Sequence, residues 1–183
     1  MIQQLLSMAL IVCLTSPCRA QSEARGAEGA EELSGVLAGI VYYTRWPGSP
    51  TPLRVCVDAR DELATDAGTR RIADELAVLG PNGISIEGRR LDDGPSSVLD
   101  CQAIYVGDVS AATWKGLLKD LVSRPVLAIG YGEEFCSRGG QFCLDRAAGG
   151  LRIRANLDSI SRSGLRVNPQ LLRLTQRHTE ATR

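Results

Sequence analysis

Apolar and polar positions along the chain follow two periods, and the switches between them mark the elements. Leu5 to Leu14 is an almost unbroken apolar run, shorter than the ~20 residues that span a bilayer. Residues 21–30, QSEARGAEGA, are small and charged and cannot build a core, so they are expected as a disordered lead-in. From Glu31 to about Tyr43, Leu33, Val36, Leu37, Ile40 and Val41 fall at helical spacing. Pro47 then turns Trp46 out of the helical region. Leu53 to Val57 alternates as a strand. A helix capped by Thr65 or Asp66 follows, with Ile72, Leu76 and Leu79 on one face. Gly80 to Gly83 is a turn, and Ile84 opens a short strand with a polar face, expected at a sheet edge. Cys101 to Val106 and Val126 to Ile129 are largely apolar strands, expected in the middle of the sheet. Between them a helix starts at Asp108 or Ser110 and runs to about Leu121.

The last third carries a different pattern. Cys136 and Cys143 enclose Gly139-Gly140, which predicts a hairpin, and Leu151 to Ala155 alternates as a further strand. Asn156 or Asp158 caps a short helix that stops at Gly164. Asn168 and Pro169 restart a helix carrying Leu171, Leu172 and Leu174. Strands and helices in this order predict an α/β fold: a three-layer sandwich whose mixed sheet is parallel early and antiparallel late, flanked by helices. The division expected is residues 1–20 as signal peptide, 21–30 as lead-in, 31–175 as one α/β domain and 176–183 as a flexible tail.

Compartment changes how the cysteines are read. The apolar run is followed by Pro17-Cys18-Arg19-Ala20, and small residues at 18 and 20 suit cleavage after Ala20, although the first four residues carry no Lys or Arg. The chain is therefore expected in the periplasm, exported and not embedded in the membrane. Cleavage leaves Cys56, Cys101, Cys136 and Cys143 of the six cysteines. An even number in an exported chain reads as disulfides, with three connectivities open. The Gly-Gly turn can bring Cys136 to Cys143, which leaves Cys56 to pair with Cys101 on the neighbouring strand. No Cys-x-x-Cys spacing favours zinc.

Charge and motifs exclude more than they select. Lys plus Arg and Asp plus Glu are both 21 and aromatics are 4%, a poor composition for binding nucleic acid. No nucleophile elbow, P-loop or zinc-protease motif occurs. The one histidine, His178, lies in the polar tail, and the acid pairs Asp92-Asp93 and Glu133-Glu134 are adjacent in sequence, which makes convergence on one substrate unfavourable. Gly130-Tyr131-Gly132 half-matches a dinucleotide fingerprint, but Phe135 stands where its third glycine belongs, so it is read as a loop. No enzyme, cofactor or metal is expected. Arg45 beside Trp46, and Ile160 with Arg162 and Arg166 around the helix after Asn156, have the composition of a protein contact: an exposed Ile ringed by Arg. The alternative is that Arg45, Arg162 and Arg166 hold an anion or a nucleotide phosphate.

The chain resembles the YfiR family. The matching pieces are Tyr43-Thr44-Arg45-Trp46-Pro47, Leu53 to Val57, Cys101 with Ile104-Tyr105-Val106, and Pro125 to Ile129. Phe135 ahead of Gly139-Gly140, Asn156-Leu157, Ser163-Gly164-Leu165 and Leu171-Leu172 complete the order, over about residues 31 to 175. It departs from the family at Arg154-Ala155, where an acid and a larger apolar residue are expected, and at Gly130-Tyr131-Gly132 in place of a more polar loop. The resemblance implies a periplasmic repressor that binds the periplasmic sensor domain of an inner-membrane diguanylate cyclase and so limits cyclic-di-GMP signalling and biofilm formation. It further implies sequestration by an outer-membrane, peptidoglycan-associated lipoprotein, a homodimer, and a redox input through the disulfides.

Overall fold

A computed structural model of the chain describes residues 16–58, 70–72, 74–75, 86–91, 100–107, 115–117, 121, 124–147 and 150–171. The apolar run at Leu5, the turn at Gly80, Asp92-Asp93 and the tail with His178 lie outside the described residues. The first helix, α1, spans Ser16–Tyr42. It starts well before Glu31, so the stretch 21–30 is helical and not a disordered lead-in. That stretch is rich in Ala and Glu, good helix formers that need no core to turn the backbone. Among the α1 side chains that are described, Leu33, Leu37, Ala38, Ile40 and Val41 are buried.

Six strands form one sheet in the order β3-β2-β4-β5-β6-β7. They are β2 (Leu53–Asp58), β3 (Ile86–Leu91), β4 (Ala103–Tyr105), β5 (Leu127–Tyr131), β6 (Phe142–Ala147) and β7 (Gly150–Ala155). Every pairing from β3 to β6 is parallel, and β6 with β7 is antiparallel. The mixed α/β sheet is as the pattern predicts, with β3 at an edge. The expected Cys136–Cys143 hairpin is not there. Cys136 lies on a short helix, α2 (Glu133–Ser137), which carries the chain from β5 across to the parallel strand β6. The true hairpin is β6–β7, joined by two residues.

Alternation along each strand divides the core in two. Leu53, Val55 and Val57, with Ala103, Tyr105, Leu127, Ile129, Phe142 and Leu144, face α1 and the C-terminal elements. Cys56, Ile104, Ala128 and Cys143 face the opposite side, where they meet Leu121 and Phe135. Helical residues therefore cover both faces. Two glutamines extend the ladder where strands begin. The Gln102 side-chain oxygen accepts from the Arg54 N–H (2.8 Å). Buried Gln141 accepts from the Ala128 N–H (2.7 Å) and donates to the Val126 carbonyl (3.1 Å). Phe135 lies flat on backbone that only glycine leaves open: a Cβ on Gly130 or Gly140 would meet its ring at 2.7 Å or closer. This packing, not a phosphate, accounts for the glycine at 130, while Gly132 supplies the positive φ that starts α2. Glu133 and Glu134 diverge, the first to Arg154 and the second to Arg138.

Candidate functional site

The end of α1 and the end of the domain meet in a small ribbon. Thr44 and Arg45 (β1) pair antiparallel with Arg166 and Val167 (β8), in the register Thr44 to Val167 and Arg45 to Arg166. Thr44 is buried and its hydroxyl donates to the Ile40 carbonyl (2.7 Å), which closes α1. The Asn168 N–H donates to the Tyr43 carbonyl (2.8 Å) and ties the ribbon's far side. Directly opposed residues of an antiparallel pair share a face, and like charges there are unfavourable unless something neutralises them. Arg45 turns back: its guanidinium donates to the Tyr42 and Thr44 carbonyls and lies 6.0 Å from the Tyr42 ring centre. Arg166 is exposed and has no ion pair among the described residues. Trp46, the next residue after β1, is half-buried with its indole N–H on the Gln102 carbonyl (2.9 Å).

Immediately before β8 runs α3, Leu157–Ser163. Asn156 caps it by accepting from the Ser159 N–H (3.0 Å), and Gly164 ends it in the left-handed region at φ 76°. Its inward face is Ser159, Ile160 and Ser163. Ile160, expected as an exposed anchor, is only 8% accessible and belongs to the core beside Leu165 and Leu171. The outward face carries Leu157, Asp158, Ser161 and Arg162, and Leu157 at 60% is the one exposed large hydrophobic side chain among the described residues. Arg162 is exposed and paired one turn back with Asp158. Of the expected cluster, Arg45 and Arg166 are therefore brought together, Arg162 stands on the adjoining helix, and Ile160 is withdrawn. The residue that takes Ile160's place on the surface is Leu157. Leu157 and Ile160 are three apart, so spacing alone cannot say which turns inward; the small Ser159 and Ser163 on Ile160's side are the clue.

The four cysteines pair as Cys56–Cys101 and Cys136–Cys143, with Cα atoms 5.9 and 5.8 Å apart. Both bonds lie on the sheet face away from α1. The second is linked to α3, because the Asn156 side-chain amide donates to the Cys136 carbonyl (2.7 Å). One side chain thus binds both the disulfide-bearing helix and the first turn of the candidate surface. Among the described residues no group of His, Cys, Asp or Glu is placed to hold a metal ion. No helix among them is long and apolar enough to cross a membrane.

The model of the YfiR/HmsC-like family matches residues 34–176. The matched span runs from the buried half of α1 past β8, so it contains the whole sheet, both disulfides, the ribbon and α3. Two disulfides fit an oxidising compartment. Membership points to a regulatory rather than catalytic protein, acting in the periplasm in cyclic-di-GMP signalling. The chain belongs to the YfiR/HmsC-like family.

Proposed function

We propose that the chain is a periplasmic repressor that binds the periplasmic sensor domain of an inner-membrane diguanylate cyclase through the Arg45–Arg166 ribbon and the outward face of α3. The observation that carries this reading is the opposed Arg45 and Arg166 pair, with Leu157 exposed on the helix that precedes it. A cationic patch with an apolar neighbour is complementary to an acidic surface with a small apolar pocket. Binding would restrain cyclic-di-GMP synthesis and biofilm formation. An outer-membrane, peptidoglycan-associated lipoprotein would compete for the repressor and release the cyclase. The working species is a homodimer of the exported chain, cleaved after Ala20. Cleavage there takes residues 16–20 from α1 and leaves the buried positions from Leu33 onward in place.

The test is binding of oxidised residues 21–183 to the purified periplasmic domain of a cyclase from the same cell, with Arg166→Glu and Leu157→Asp alongside. Each substitution is expected to weaken the complex by about tenfold or more, on the order of 1.4 kcal/mol. Wild-type affinity in both variants would remove this surface from the interface, and an absent complex would sink the repressor reading for that cyclase. Repeating the titration after mild reduction asks whether the disulfides gate the complex. A second reading has support from the same unfavourable pairing: Arg45 and Arg166 hold a small anion, with Arg162 nearby. It predicts a rise in stability of about 2.7 kcal/mol when the anion is at 100 times its dissociation constant.

A further inference from the structure

A separate pocket of about 190 Å³ opens where Trp46 meets the start of β4 and the approach to β5. Its walls include Trp46, Pro47, Pro50, Gln102, Arg124 and Pro125. Three prolines make rigid walls, since each has its φ fixed by the ring. The Trp46 ring is held by the indole bond to the Gln102 carbonyl, which itself accepts from the Leu127 N–H at 2.8 Å. The Arg124 backbone is pinned on both sides, its N–H on the Leu121 carbonyl (3.0 Å) and its carbonyl on the Val126 N–H (2.8 Å). Its side chain is exposed and, among the described residues, makes no ion pair and has no acid beside it in the wall. The site therefore combines a fixed aromatic face, stiff apolar sides and one available cation.

We infer that this pocket binds a small aromatic carboxylate, its ring against Trp46 and the prolines and its carboxylate on Arg124. The volume is that of about six waters, which suits a single substituted ring. An aromatic ring on indole contributes beyond its buried area, and the guanidinium gives a carboxylate two parallel donors. The inference is independent of the repressor reading, and its test contains no cyclase.

The experiment follows the two tryptophan indole N–H signals of oxidised residues 21–183 by NMR during titration with sodium benzoate, then with neutral benzamide. Trp114→Phe assigns the pair. The expected result is a saturable shift of the Trp46 signal with a dissociation constant on the order of 1 mM. Benzamide on the wild type, and benzoate on Arg124→Gln, should each bind about threefold more weakly or worse, while Arg138→Gln, which only loses an exposed ion pair with Glu134, binds benzoate as the wild type does. The inference is overturned by an unmoved Trp46 signal, by equal affinity for benzamide and in Arg124→Gln, or by an equal loss of binding in Arg138→Gln.

Discussion

Leu157 and Ile160 sit one turn apart on the same helix and answer to different demands. Ile160 is held among Leu165, Leu171 and the α1 side chains, so Ile160→Ala opens a cavity. Its expected cost is about 2–4 kcal/mol, read as a lowered midpoint in urea. Leu157→Asp removes nothing from the core and should leave that midpoint within about 0.5 kcal/mol. A large drop in Leu157→Asp, or none in Ile160→Ala, would reverse the inward and outward faces given to α3. The cysteine pairing and the nearness of Arg45 to β8 are different cases. The pairing was legible because two partners lay close in sequence and left two over. The ribbon was not, because two-residue strands have no period to detect, and the register that opposes Arg45 to Arg166 is set by tertiary contacts.

Among the elements, those that carry an apolar run were readable and those without one were not. β2, β4 and β5 announce themselves by apolar runs, and their alternation sorts Val55 from Cys56 onto opposite faces. α2 is five residues long and carries one buried side chain, Phe135, so it leaves no helical period, and Gly139-Gly140 suggested a hairpin in its place. Asn156 is the residue through which α2 and α3 meet, and its two roles separate by substitution. Asn156→Ala loses both the cap and the bond to the Cys136 carbonyl, at an expected cost of about 1–3 kcal/mol. Asn156→Asp keeps an acceptor for Ser159 and loses the donor. Hydrogen exchange at the Ser159 amide should accelerate in Asn156→Ala and remain slow in Asn156→Asp. Equal acceleration in both would mean that the tie to Cys136, and not the cap, holds the start of α3.

At the scale of the whole molecule, the two disulfides close loops of very different size, with cysteines 45 and 7 positions apart. On the chain-entropy account the larger loop contributes about 4 kcal/mol and the smaller about 2. Replacing Cys56 and Cys101 by Ala should therefore lower the unfolding free energy by roughly twice as much as replacing Cys136 and Cys143. Paired-variant denaturation curves measure this directly, and the reverse order would show that the short bond restrains more than its own loop. Such a result would point to the Asn156 contact, since that contact passes the position of Cys136 on to α3.

The β1–β8 ribbon joins the end of the first helix to a strand almost at the far end of the domain. A chain is made N-terminus first, so Thr44 and Arg45 exist long before Arg166 and Val167 can meet them. The domain cannot be zipped shut while the end of its sequence is still to come. Local pieces, such as the β6–β7 hairpin, can form as they appear, but the closing contact has to wait for the last of the sequence, as long-range contacts do in folding generally. The same delay postpones the assembly of the arginine pair until both disulfide-forming pairs of cysteines have been made.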